Sequence, residues 1–253
     1  MFAAERQQRI LEIVKAAGSV RVAELADALG IGEATVRRDL TAMERKNLLR
    51  RTHGGAMPVD SFQGELPITV REQFCQREKQ IIGALAADFI QSGDIIILDS
   101  STTAFALVPF ISRIDNITVI TNGLKAAMAL GTCGNVSVFC TGGKIRDNSL
   151  SLVGSHAQDF FGGFAAKKLF LSCRGFSAEG GMMDNSYEEA TVRQGMLQAA
   201  DQVFLLCDHT KLDKKAFVTV CAGRDIDYLI TDRSVPDPFA AAVRNMDIRI
   251  VTP

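Results

Sequence analysis

Two groups of residues in this 253-residue chain have the type and spacing to act on an anion. The first is a run of cations, with Arg37, Arg38, Arg45, Lys46, Arg50 and Arg51 all falling within the stretch 37–51. The second is Asp99-Ser100-Ser101-Thr102-Thr103, which follows the apolar run "IIIL" and precedes "AFALVPFI". A hydroxyl-rich loop that opens a helix offers free backbone N–H groups, the positive end of the helix dipole and side-chain donors, all suited to a phosphate. The same residue types also make an ordinary capped helix start, so both readings stand from this loop alone. It lacks G-x-x-x-x-G-K-[ST] and is therefore not a nucleotide P-loop. Further groups follow other apolar runs: Asn122-Gly123, Gly142-Gly143 with Arg146, Arg174-Gly175, and Asp208-His209-Thr210-Lys211. Such a set surrounds a small anionic ligand, although Arg174 and Lys211 are equally compatible with plain surface charge. Glu188 and Glu189 suit a helix start for dipole reasons alone.

The overall charge of −1 hides an asymmetry. Residues 1–57 hold ten Lys and Arg against seven carboxylates, +3, which leaves −4 for the remainder. A small basic head on an acidic body implies that only the head meets a polyanion. The six cysteines are scattered, with no C-x-x-C pair and three histidines in the chain, so they read as buried or semi-buried free thiols rather than metal ligands. No metal or cofactor is expected. No apolar run approaches the roughly 18 residues of a membrane span, and no apolar stretch follows the first arginines, so a cytoplasmic protein is expected.

The cations need a frame. "AERQQRILEIVKAAG" has Ile10, Ile13, Val14 and Ala17 at helical spacing and a stop at Gly18. A second helix to Leu29, a break at 30–32 and a third helix over about 33–46 make a helix-turn-helix, with Ala26 at the close crossing and Gly30 free to turn left-handed. Leu25, Leu29, Ile31, Val36 and Leu40 fill the space between these helices. "LLRRTHGGA" then suits a small two-stranded wing whose cations lie along a phosphate backbone.

At about 100° per residue, Val36, Leu40 and Met43 share the buried face of the third helix. Ala34, Arg38, Thr41 and Arg45 lie opposite, and Arg37 lies on the flank. A helix that enters the major groove presents its N-terminal part to the bases, so Glu33, Ala34, Thr35 and Arg38 are placed to read sequence and Arg37 to hold phosphate. Asp39 is placed to restrain an arginine.

The body requires a different frame. After a polar, proline-bounded linker (58–74) and a helix over about 70–91 come "DIIILD", "ITVIT", "VSVFC", "KLFLS", "VFLLC", "YLIT" and "IRIV". Continuous apolar runs alternating with helical segments such as "GLKAAMALG" and "EEATVRQGMLQAA" predict a parallel sheet covered on both faces, over 75–253. In such α/β sheets ligands sit beyond the carboxyl ends of the strands, which is where the anion-directed groups fall.

"GIGEATVRRDLTAMERKNLLRRTHGGA" resembles the DNA-binding head of the DeoR/GlpR family of bacterial transcription regulators, with its T-[IV]-R-R-D-L core and a wing ending in H-G-G-A. Gly32 stands where the family usually has Ser. "LDSSTTA", "VITNGL", "TGGK", "GFSAEGGMMDNSYEEA" and "DHTKL" resemble, in order, that family's effector domain, which shares its fold with ribose-5-phosphate isomerase. The resemblance implies a winged helix-turn-helix in which Glu33, Ala34, Thr35, Arg37, Arg38, Arg45, Arg50, Arg51 and His53 meet operator DNA. It further implies a sugar phosphate held by Asp99, Ser100, Ser101, Thr102 and Thr103, with Asn122, Gly143, Arg146, Glu188, Asp208 and Lys211 around it; Arg174, from the reading of the strand ends, joins the same expected site. Ser101 and Ala104 depart from the family's D-S-G-T-T-T loop.

An isomerase of this fold needs a base over the sugar carbons. At the corresponding strand end this chain has "SCRGFSAEGG", without a carboxylate until Glu179, so no enzyme is expected. The expected protein is a regulator, typically a repressor, of a carbohydrate operon: a homo-oligomer, dimer or tetramer, on double-stranded operator DNA, with no membrane partner. A helix-turn-helix that only packs against a protein partner is the competing reading, and it would make DNA affinity indifferent to Arg38.

Overall fold

The N-terminal apolar spacing becomes the helix Ala3–Ala17, which buries Ile10, Leu11 and Val14 against the two helices that follow. The computed structural model describes residues 2–17, 20–46, 48–52, 54–58 and 67–253, and divides into two units, Met1–Leu66 and Pro67–Pro253. The stop at Gly18, His53 and residues 59–66 lie outside the described residues, as does the side chain of Arg50.

Within the first unit, Val22–Leu29 and Glu33–Arg45 form the helix pair. Gly30 ends the first of them at φ 63°, the left-handed conformation that a residue with a Cβ resists. Leu25, Ala26, Leu29, Val36, Leu40 and Met43 are buried at the crossing, and Ile31 is half-buried. The wing differs from the two strands expected. Leu49–Thr52 pairs with Gly55–Pro58, and Val20–Arg21 adds a third strand antiparallel to the latter. A Cβ on Gly55 would stand 2.0 Å from the Val20 carbonyl oxygen, so this close backbone approach accounts for the glycine.

The second unit begins earlier than the sequence implied. Residues 67–74 belong to it, and Ile68–Gln73 is a helix rather than linker. The single helix expected over 70–91 is two, Ile68–Gln73 and Gln76–Ala87, because Cys75 takes φ 48° between them. Beyond them the seven apolar runs each form one strand of a seven-stranded, wholly parallel sheet. Its order is Arg249–Val251, Tyr228–Ile230, Ala200–Leu206, Ala166–Leu171, Ile95–Leu98, Ile117–Thr121, Val136–Cys140.

Alternation along each strand divides the core in two. Ile97, Ile120, Leu169, Leu171 and Leu205 point to one layer, and Ile96, Leu98, Val119, Phe170, Phe204 and Leu206 to the other. Phe170, Phe204 and Tyr228, in register on adjacent strands, stack at 4.7 and 4.5 Å between ring centroids. A hairpin of Lys144–Arg146 and Ser151–Val153 and a small antiparallel sheet of Gly175–Ser177, Gly181–Asp184 and Val218–Cys221 were not legible in the sequence.

The chain starts its sheet in the middle. Ile95–Leu98 is followed on one side by the next two strands, and then Ala166–Leu171 returns to its other side. The strand order reverses there, so a crevice opens beyond Leu98 and Leu171, at the residues that begin with Asp99 and Ser172. No helix among the described residues is long and apolar enough to cross a membrane. The cysteines are free thiols, and Cys140, expected to be at least half-buried, is exposed on the edge strand Val136–Cys140.

Candidate functional site: a cationic helix face and an anion-directed crevice

On the helix Glu33–Arg45, residues Glu33, Ala34, Arg37, Arg38 and Arg45 are exposed and Thr35 is half-buried. The two neighbouring arginines have different surroundings. Arg37 pairs with Glu33 one turn back at 2.6 Å, whereas Arg38 has no ion-pair partner among the described residues. Asp39, 5% exposed, does restrain an arginine, but the partner is Arg6 of the first helix, at 2.5 Å, and neither of its neighbours. That pair ties the first helix to the inner side of the third and leaves Arg38 directed to solvent.

Thr41, expected on the outward face, is half-buried because it is occupied from two sides. Its hydroxyl donates to the Arg37 carbonyl at 2.8 Å and accepts from the Arg51 guanidinium at 2.8 Å. The Arg51 N–H also donates to Glu44 at 3.0 Å. The first wing strand is thus fastened to the third helix, so Arg51 continues the charged face.

In the second unit, the loop after Ile95–Leu98 runs into the 3-10 turn Ala104–Leu107 and the helix Val108–Ile111. Ser100, Thr102 and Thr103 are buried and Ser101 is half-buried. Ser101 folds the loop: its N–H donates to Asp99 at 3.0 Å, and its hydroxyl accepts from the Ala104 N–H at 3.0 Å. The serine at this departure from the family pattern is therefore a cap. The N–H groups of Thr102 and Thr103 have no acceptor among the described residues. Backbone donors left open in a buried loop are suited to an anion.

The Lys211 ammonium reaches this loop. It donates to Thr103 Oγ1 at 3.3 Å and Ser172 Oγ at 3.1 Å, and pairs with Asp208 at 3.2 Å. Burial works against both charges, but each holds the other: Asp208 lies below the usual carboxylate range and Lys211 above the usual lysine value. Beside them sits Lys79, 7% exposed, from the helix Gln76–Ala87. Burial and the neighbouring Lys211 charge push its ammonium down to about 8. Lys79 donates to the Arg71 carbonyl oxygen.

The rest of the expected site is held by a residue that the sequence reading passed over. Arg193, 5% exposed, donates to Asp99 at 3.0 Å and to Asp184 at 2.9 Å, and lies 3.8 Å from Glu189. Burial would lower its pKa, but the three carboxylates raise it. Asp99 also accepts the Ser172 N–H at 3.2 Å, so this carboxylate joins the two central strand ends. Glu189 accepts from the hydroxyls of Ser149 at 2.8 Å, Ser151 at 2.5 Å and Ser100 at 3.4 Å. Asp99 and Glu189 are thereby occupied by protein groups and fix the shape of the crevice.

Arg146, from the hairpin, lies 3.7 Å from Glu189 and 3.9 Å from Glu188, and the exposed Glu188 also pairs with Lys144 at 3.1 Å. Gly143 is exposed at φ 128°, and a Cβ there would meet the Val153 carbonyl oxygen at 2.6 Å, so its glycine is explained by hairpin closure. Arg174 is half-buried, and its charge acts on Lys211. Asn122, 1% exposed, donates to the Leu152 carbonyl at 3.2 Å, while its own Oδ1 is buried with no partner among the described residues.

Ser100, Ser101, Gly123, Lys125 and Ser149 line a small cleft beside the loop. Glu179, the first carboxylate after the strand Ala166–Leu171, is on the surface and pairs with Lys215 at 3.1 Å. Arg193 could have been found from the sequence: "EEATVRQG" places it four residues after Glu189, on the same helix face.

Comparison with known proteins agrees with this division. Residues 6–62 match the model of the DeoR-like helix-turn-helix domain, and residues 75–233 that of the DeoR C-terminal sensor domain. The chain is 37% identical over 250 residues to the uncharacterized HTH-type transcriptional regulator YulB of Bacillus subtilis, covering 99% of this chain and 96% of that protein. It is 34% identical over 239 residues to the HTH-type transcriptional repressor GlcR of the same organism, covering 92% and 90%. Among solved structures, ribose 5-phosphate isomerase A of Methanocaldococcus jannaschii aligns over 56% of each chain at 13% identity with a TM-score of 0.42. With both of its parts matched in order, the chain belongs to the DeoR family of helix-turn-helix transcriptional regulators, which are DNA-binding proteins and not enzymes.

Proposed function

We propose that this chain is a cytoplasmic repressor of a carbohydrate-utilisation operon, and that a phosphorylated sugar bound at the loop Asp99–Thr103 relieves repression. In this reading residues 1–57 hold the operator, with Glu33, Ala34, Thr35 and Arg38 facing bases and Arg37, Arg45, Arg50, Arg51 and His53 facing phosphates. The residues from 75 onward hold the effector. One observation carries it: the open N–H groups of Thr102 and Thr103 and the Lys211 ammonium converge at the point where the strand order reverses. That the relative GlcR is named a repressor supports the sign.

The operator is gripped as paired half-sites by a homo-oligomer, a dimer or tetramer. Regulation requires the effector to favour the arrangement of heads that does not fit DNA, since equal binding to both arrangements shifts nothing. The test uses the full chain. A panel of sugar phosphates is screened for a rise in melting temperature, because a ligand of the native state stabilises by mass action. Hits are then titrated into an operator complex followed by fluorescence anisotropy. Lowered operator affinity with at least one sugar phosphate is expected. A panel that changes neither melting nor operator affinity overturns the proposal.

A further inference from the structure

The helix Ile68–Gln73 is six residues long, too short for its own hydrogen bonds to keep it formed. It joins the next helix through Cys75, a residue with a Cβ held at φ 48°. Such a left-handed residue persists only where surrounding contacts impose it, and positions of this kind recur at switch segments. The contacts that impose it here lie on the crevice side. Ile68, 6% exposed, lines the small cleft beside the loop together with Asp99, Ser100, Ser101 and Gly123. Glu72 pairs with Lys125 of the helix Leu124–Gly131, and that ammonium stands 5.2 Å from the centre of the Phe105 ring, in the turn that follows the loop. Arg71 donates to the Asn148 carbonyl at 3.1 Å, between the two strands of the hairpin. With the helix so tied, the cleft keeps a cavity of about 10 Å³, the room of one water. A phosphate group does not fit there while the helix is in place.

We propose that the helix Ile68–Gln73 is an autoinhibitory strap over the effector crevice, hinged at Cys75 and clasped by the Glu72–Lys125 pair, which must open before a phosphate group reaches the loop Asp99–Thr103. This rests on the reading of that loop as the phosphate site. The clasp suits a reversible cover. The side chains of Lys125 and Glu72 are 34% and 29% exposed, and a pair so open to water shifts an equilibrium by a few-fold rather than by orders of magnitude. When the binding-competent state is the minor one, apparent affinity is reduced by its population, so loosening the clasp tightens binding. Lys125 is then a cation whose loss improves the binding of an anion. Charge by itself predicts the opposite.

Inorganic phosphate is the probe, and its binding to the full chain is measured by calorimetry at neutral pH and constant ionic strength. Lys125→Met keeps an apolar stem beside Phe105 without the charge, and Glu72→Gln removes the other half of the clasp. Each is expected to bind phosphate about two- to fivefold more tightly than the wild type. A second measurement needs no variant. Phosphate is expected to speed tryptic cleavage after Arg71 in the wild type, because the anion favours the open strap and cleavage follows the open population. Tighter binding by Glu72→Gln with weaker binding by Lys125→Met shows charge acting alone and overturns the strap. So does unchanged affinity in both variants, and so does protection of Arg71 by phosphate, the behaviour of a lid that closes over its ligand. Each of these three results leaves the phosphate reading of the loop standing. A wild type and two folded variants that all fail to bind phosphate overturn both.

Discussion

Replacing Arg193 by Met should markedly destabilise the second unit. The guanidinium is 5% exposed and holds Asp99 at 3.0 Å and Asp184 at 2.9 Å, with Glu189 at 3.8 Å. After its removal the three carboxylates are not equally compensated. Asp99 retains the N–H groups of Ser101 and Ser172, and Glu189 retains three serine hydroxyls. Asp184, 5% exposed, retains the Ser186 N–H at 3.0 Å among the described residues. Breaking a buried pair by deleting one partner costs about 3–5 kcal/mol, because a charge is left buried without its counter-ion. Against a total of roughly 5–15 kcal/mol for a domain, that is a large fraction.

Tyrosine fluorescence makes the measurement selective. The chain has no tryptophan, and its two tyrosines, Tyr187 and Tyr228, both lie in the second unit, the latter in the stack with Phe204. Urea titration at neutral pH should show the midpoint of that transition shifted by a loss of about 3–5 kcal/mol in Arg193→Met. Adding Asp184→Asn should return about 1–3 kcal/mol, because the second change removes the stranded charge. A loss below about 1 kcal/mol, or strict additivity of the two changes, would refute the reasoning that Arg193 neutralises this cluster.

Two further outcomes are expected. Arg38→Ala should cost about 1–3 kcal/mol of operator binding and relax sequence preference at one position, whereas Arg37→Ala should weaken all sequences alike and lower the salt slope by about one; identical profiles in a salt-dependent anisotropy series would remove this division. The stability of the second unit should fall on acidification partly through Asp94, 3% exposed. Burial opposes that carboxylate's charge, but Lys168 at 2.5 Å, the Gln91 N–H at 2.8 Å and Lys167 at 3.5 Å overcome it and hold its pKa down. A depressed folded pKa means that this contribution is complete above about 3.9 and lost as pH falls through the folded value, so the melting temperatures of wild type and Asp94→Asn should converge below about pH 4. A gap that does not narrow at all as pH falls below about 4 would contradict that.

The inner strands of the sheet were legible because a strand buried on both faces must be apolar at nearly every position, which leaves a run such as "IIIL" or "VFLL" in the sequence. The helix pair was legible because Gly30 and the spacing of Leu25, Leu29, Val36 and Leu40 are local requirements of the turn and the crossing. The third strand of the wing was not. Val20–Arg21 is two residues long, and it pairs because the distant Gly55 lets the backbones approach, a condition that no local pattern carries. The break at Cys75 left no trace for a similar reason: the helical periodicity continues through it, and only φ 48° marks the change.

The sequence by itself determined that this chain has a cationic helix-turn-helix head and a parallel α/β body, and which residues stand at the strand ends, since periodicity and turn chemistry act over a few residues. The adjacent arginines show what it could not determine. Helical phase separates Arg37 from Arg38 by about 100°, but that Asp39 would be engaged by Arg6, thirty-three residues away, depends on the packing of the first helix. In the same way, the loop Asp99–Thr103 reads from its own residues as a helix cap or a phosphate loop, and only the fold brings Lys211 to Thr103 and Arg193 to Asp99 from elsewhere in the chain. Burial brings these charges together, and their mutual screening from water gives each a strength that no sequence pattern records.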